Sequence, residues 1–79
     1  MALYKLEPRF ENGGAWKPWY DKMFGAIVRA ESEQAARELL ASNPRDEGAA
    51  CWLDPTQSVC VEVVAVGPPE VIVRDVHSA

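Results

Sequence analysis

Hydrophobic and polar positions along the chain change period several times, and each change marks an element. Ala2 to Phe10 alternates, with Tyr4, Leu6 and Phe10 on one side and Lys5, Glu7 and Arg9 on the other. That is the pattern of a strand with one face on a core and one in water. Pro8 has no N–H to give a ladder, so this strand should lie at an edge or finish there. Met23 to Ala30 is a second strand, with Phe24, Ala26, Val28 and Ala30 on one face and Met23, Gly25, Ile27 and Arg29 on the other.

The period then turns helical. Ser32 is placed to cap the first turn, with Glu31 and Glu33 beside it at the positive end of the helix dipole. Ala35, Ala36, Leu39 and Leu40 form an apolar stripe, and Glu33, Arg37 and Glu38 are expected to face water. Asn43-Pro44 ends the helix, because the residue before proline is pushed out of the α region.

Residues 43–57 carry Pro44, Gly48 and Pro55 and read as a connection, with Arg45, Asp46 and Glu47 exposed. Inside it, Ala49 to Leu53 is apolar enough for a short strand or for packing back onto the helix, with Trp52 as the plug. Ser58 to Val66 is valine-rich and reads as a central strand, Val59, Val61, Val63 and Ala65 making one unbroken apolar face. Gly67-Pro68-Pro69 turns the chain, and Glu70 to Val76 returns as a last strand. The order β-β-α-β-β predicts one α+β domain over residues 1–79, a two-layer sandwich of an antiparallel or mixed sheet with one helix on one face. The sheet's other face should then be the more polar one, unless the aromatic segment or a partner covers it.

Composition adds bounds to that picture. At 79 residues the core is small, since a domain of this size buries roughly 60% of the unfolded chain's surface. An apolar fraction of 48% is that of a folded chain. No run reaches the roughly 20 apolar residues of a membrane span, and MALYKLEPRF lacks the continuous apolar core of a signal peptide. A soluble, cytoplasmic protein is the expectation. The net charge of −4 is unevenly spread: residues 1–30 hold five basic and three acidic side chains, whereas residues 31–79 hold three and nine. No basic stripe of the kind that binds nucleic acid is present. An acidic half of this kind is a match for a basic partner, although the same bias also arises as a plain solvated surface.

The search for reaction chemistry comes back nearly empty. His77 is the one histidine, so no Ser/His/Asp set can form. Asn12-Gly13-Gly14 lacks the helix and lysine of a phosphate loop. Cys51 and Cys60 read as free, half-buried thiols and supply too few ligands for zinc. Asp54 precedes Pro55 and reads first as a turn former. No enzyme, cofactor or metal is expected. The aromatic segment is the exception to this blandness, with Trp16, Trp19 and Tyr20 crowded within five positions. Such rings anchor binding surfaces, and equally they close the core of a small domain.

IVRAESEQAAREL, CWLDP and the final VIVRD together resemble small uncharacterised domains encoded by phages and prophages of high-GC bacteria. The likeness runs over roughly residues 24–75 and leaves the aromatic segment unmatched. It carries no catalytic residues across. What it implies is a binder that disables host machinery, by analogy with anti-CRISPR proteins. The resulting expectation is a non-enzymatic acidic inhibitor that blocks a host nucleic-acid-processing complex. Glu31, Glu33, Glu38, Asp46, Glu47 and Asp54 would supply charge, and Trp16, Trp19 and Tyr20 the anchors. Its partner would be a host protein with a basic surface, a CRISPR effector subunit being one candidate, with no direct nucleic-acid or membrane contact. The alternative is a homo-oligomeric accessory domain, a homodimer in the simplest case, paired through the open sheet face or an edge.

Overall fold

The computed structural model describes residues 1–10, 13–18 and 21–74. Its elements are β1 (Ala2–Pro8), a short 3₁₀ turn (Gly14–Trp16), β2 (Ala26–Ala30), α1 (Glu33–Ala41), α2 (Ala50–Leu53) and β3 (Ser58–Val63). The three strands form one antiparallel sheet in the order β2-β1-β3, with both helices packed on one face, a small α+β fold.

β1 is central rather than peripheral, and Pro8 is tolerated because it is the strand's last residue. Register sets Lys5 opposite both Ile27 and Val61, and Leu3 opposite both Arg29 and Val63. Ser58–Val63 is an edge strand, which corrects its reading as central. It stops at Val63, and residues 64–74 form no strand. The expected strand over 70–76 is therefore absent from its described part, and residues 75 and 76 lie outside the described residues. That stretch nevertheless returns to the sheet, because Lys5 Nζ donates to the carbonyl of Ile72.

The strand-to-helix joint forms as its residues require. Ser32 adopts extended backbone and its Oγ accepts from Ala35 N–H at 3.1 Å, closing the first turn of α1. Ala36 is fully buried against the sheet layer, with Ala35, Leu40 and Ala41 partly buried around it. Two expectations for this helix fail together. Arg37 is only 2% exposed, whereas Leu39 is 56% exposed. The buried stripe centres on Ala36, Arg37 and Leu40, so Leu39 lies past its border.

An arginine wins an inside position because α2 has four residues and leaves its terminal carbonyls without helical partners. Arg37 Nη1 donates to the Trp52 carbonyl at 2.9 Å and to Ser58 Oγ at 2.8 Å. Nη2 donates to the Ser58 carbonyl at 3.2 Å, and Nε to Glu33 Oε2 at 3.0 Å. One guanidinium thus ties α1, α2 and the start of β3 together. Ser58 Oγ in turn donates to the Cys51 carbonyl at 2.7 Å.

Among the described residues Trp16 and Trp52 are the largest fully buried side chains, their rings meeting edge to face at 5.1 Å between centroids. Trp52 is the plug expected of it, carried on a helical turn rather than a strand.

Candidate functional site

Of the nine residues singled out for partner binding, the structure sends two to the interior. Trp16 lies in the core, its Nε1 donating to the Met23 carbonyl at 2.8 Å. Glu47 is 6% exposed, which overturns its reading as a solvated loop residue. Its Oε1 accepts from Met23 N–H at 2.9 Å. Its Oε2 accepts from Trp52 Nε1 at 2.8 Å and from Arg45 N–H at 3.1 Å. The physical reason is that a buried indole N–H and the unpaired N–H groups of two connecting segments all need an acceptor, and one carboxylate serves all three. Gly48, at φ +81°, makes the turn that follows it, a conformation glycine adopts without steric cost.

Burial works against the charge on Glu47, but the donors from Met23, Trp52 and Arg45 outweigh it and hold its pKa below the ordinary value. Asp54 is likewise occupied. Its Oδ1 accepts from Thr56 N–H at 2.8 Å and Thr56 Oγ1 at 2.7 Å, and its Oδ2 from Gln57 Nε2 at 3.1 Å. This is the turn role that Asp54-Pro55 suggests, and the Thr56 hydroxyl leads the interactions that depress its pKa.

The remaining acids divide by position. Glu31, Glu33 and Glu38 are exposed on and just before α1, Asp46 is exposed in the connection, and Trp19 and Tyr20 lie outside the described residues. Burial of Arg37 changes the character of the helix surface. Arg37 is the only cation between Glu31 and Ser42, and it points inward. The outer surface of α1 therefore shows Glu38 with no cation of its own helix beside it, Glu31 is exposed just before the helix, and Glu33 is turned partly towards Arg37. Glu38 accepts from Gln34 Nε2 at 3.4 Å.

The second exposed feature is the outer face of the sheet, the surface that the homodimer alternative invokes. Away from the helices, the sheet presents Leu3, Ile27 and Val61, which are 36%, 50% and 49% exposed. Val59 and Val63 stand beside Val61 on the same side. Lys5, Glu7 and Arg29 share this side, so the outer face is the more charged of the two while its β3 part is aliphatic. The valine face of β3 points outward, and it is Ser58 and Cys60 that face the helices, because Ser58 is needed inside to bond Arg37 and Cys51. The alternation of valines gives the apolar face of this strand but not the side on which the helices lie.

Chemically the arrangement offers little. The cysteines are free, Cys51 buried and Cys60 half-buried. Burial and the nearby Glu47 carboxylate push the Cys51 thiol up to about 11, and burial raises Cys60 as well. Both are poor nucleophiles near neutral pH. Among the described residues no three His, Cys, Asp or Glu side chains gather as a metal would require. No helix among them is long and apolar enough to cross a membrane. Comparison with protein-family models, with curated proteins and with solved structures finds no match for this chain.

Proposed function

We propose that the protein is a non-enzymatic binding domain whose acidic α1 surface occupies a basic surface on another protein. The observation that carries this reading is the inward orientation of Arg37, which leaves Glu38 on α1, and Glu31 just before it, without a neutralising cation from that helix. Opposed to lysines and arginines, such a face speeds encounter and fixes orientation, and its contribution falls with ionic strength. Tight charge-assisted hydrogen bonds already occupy Asp54 and Glu47, so these two drop out of the contact set. Asp46 stays available at its border.

The resemblance of the α1 and CWLDP segments to prophage-encoded domains extends the reading to an inhibitor. By covering a basic surface that ordinarily receives nucleic acid, the domain would block a host nucleic-acid-processing complex by occupation rather than by chemistry. Affinity capture from bacterial lysate at low and at moderate salt tests this. A stoichiometric nucleic-acid-processing complex retained at low salt and lost at moderate salt supports it. Absence of any such complex at low salt contradicts it.

A further inference from the structure

We infer that residues 64–74 form a releasable strap on the outer face of the sheet, latched at Lys5, that opens while the rest of the domain stays folded. The inference does not rest on the α1 reading. Three observations carry it.

The first is the path of the chain. β3 ends at Val63, which stands opposite Leu3, and Lys5 is the next residue of β1 on the same side. Ile72 is back at that side, its carbonyl accepting from Lys5 Nζ. Residues 64–71 therefore leave and rejoin the sheet at neighbouring positions, the geometry of an Ω-loop. Register sets Lys5 between Ile27 and Val61, which are 50% and 49% exposed, so the strap returns at the aliphatic middle of the face.

The second is how little holds it. Among the described residues no backbone–backbone hydrogen bond and no ion pair joins residues 64–74 to the rest of the chain. The Lys5 bond is the one polar link between them. Ile72 is also the one residue of the strap that is not exposed. The bond and the burial thus coincide at a single anchor. A segment held in this way sits at the low end of local stability, where it opens without global unfolding.

The third is composition. Val64, Val66, Val71 and Val73 are 61%, 85%, 63% and 53% exposed, although β-branched side chains are those that fit a sheet. The strap has the residues of a strand and none of its ladder, so it rests on the sheet as a cover. Pro68 and Pro69 fix two φ angles at its bend and stiffen it. When it opens, the middle of the face is bared between Ile27 and Val61. The Lys5 ammonium is then left with Glu7 Oε1, 3.6 Å away.

Native-state proteolysis of the full chain with a glutamate-specific endoproteinase tests the inference, because Glu70 is the one glutamate of the strap. In the wild type the first cut should fall after Glu70, at a rate that urea below the unfolding transition barely changes. Lys5→Met removes the donor and should speed that cut about tenfold, the scale of one hydrogen bond to a charged group. Lys5→Arg keeps a donor and should stay close to the wild type. Ile72→Ala lies outside the core and should also speed the cut, which keeps the test open if Lys5→Met weakens the sheet itself. A first cut outside residues 64–74 overturns the strap as a separate unit, as does a Glu70 cut whose rate follows global unfolding. Wild-type rates in both Lys5→Met and Ile72→Ala overturn the latch.

Discussion

Glu47 and Trp52, five positions apart, meet inside the core with the indole Nε1 donating to the carboxylate at 2.8 Å. The same carboxylate takes the backbone N–H of Met23, so the segment leading into β2 is fastened to α2 by an ion rather than by a strand or helix ladder. A charge placed there stabilises only while it stays charged.

Acid should therefore loosen the domain at this point first. Burial raises the pKa of Glu47, while hydrogen bonds from Met23, Trp52 and Arg45 lower it by more, leaving the folded value below the ordinary 4.5. With a depressed folded pKa, the contribution is complete above the unfolded value and disappears as pH falls through the folded one. Denaturant midpoints measured against pH should fall below about pH 4.5 in the wild type. Glu47→Gln keeps the size but turns a donor towards donors, and should cost about 1–3 kcal/mol at neutral pH. It should also flatten the acid limb.

Arg37 should be as sensitive as a core hydrophobe. Its removal leaves the carbonyls of Trp52 and Ser58 without their donor in a dry site. Arg37→Ala should cost about 3 kcal/mol in urea unfolding. Arg37→Lys should recover less than half, because a single ammonium cannot reproduce the planar fork that reaches both carbonyls and Ser58 Oγ. Stability within experimental error of the wild type in Arg37→Ala would show that the guanidinium is not the tie between α1, α2 and β3.

Thiol reactivity offers a check on the same core. With its pKa near 11, Cys51 has about one thiolate in a thousand at pH 8. Alkylation of Cys51 by iodoacetamide at pH 8 should proceed only as the domain unfolds, and the rate should rise in Arg37→Ala. Rapid labelling of Cys51 in the native wild type would contradict the burial of α2.

Much of this architecture is legible in the sequence. Alternation in β1 and β2, the Ser32 cap and the stop at Asn43-Pro44 are local signals, and local signals survive folding. The two interior ions are not local. Arg37 and Glu47 read as solvated because charge ordinarily is, and their burial depends on what α2 brings them: terminal carbonyls for one, an indole N–H for the other. The outward turn of the β3 valines has the same origin, since Ser58 must face inward to meet Arg37. The sequence of Glu70–Val76 predicts a last strand because it is rich in valine and isoleucine. Among the described residues the sheet ends instead at β3, with the Ile72 carbonyl held only by a lysine side chain.

These internal roles decide how the acidic-surface proposal must be tested. Reversing Glu47 would unfold the domain, and Glu33 touches Arg37, so neither reports on binding alone. Glu31 and Glu38 are exposed and make no contact with Arg37. The decisive measurement is capture from bacterial lysate by wild type and by Glu31→Lys/Glu38→Lys side by side at low salt, both verified as folded by circular dichroism. The account predicts that a nucleic-acid-processing complex is retained by the wild type and lost by the variant. Equal retention by the two would contradict the claim that the α1 surface is the one that binds.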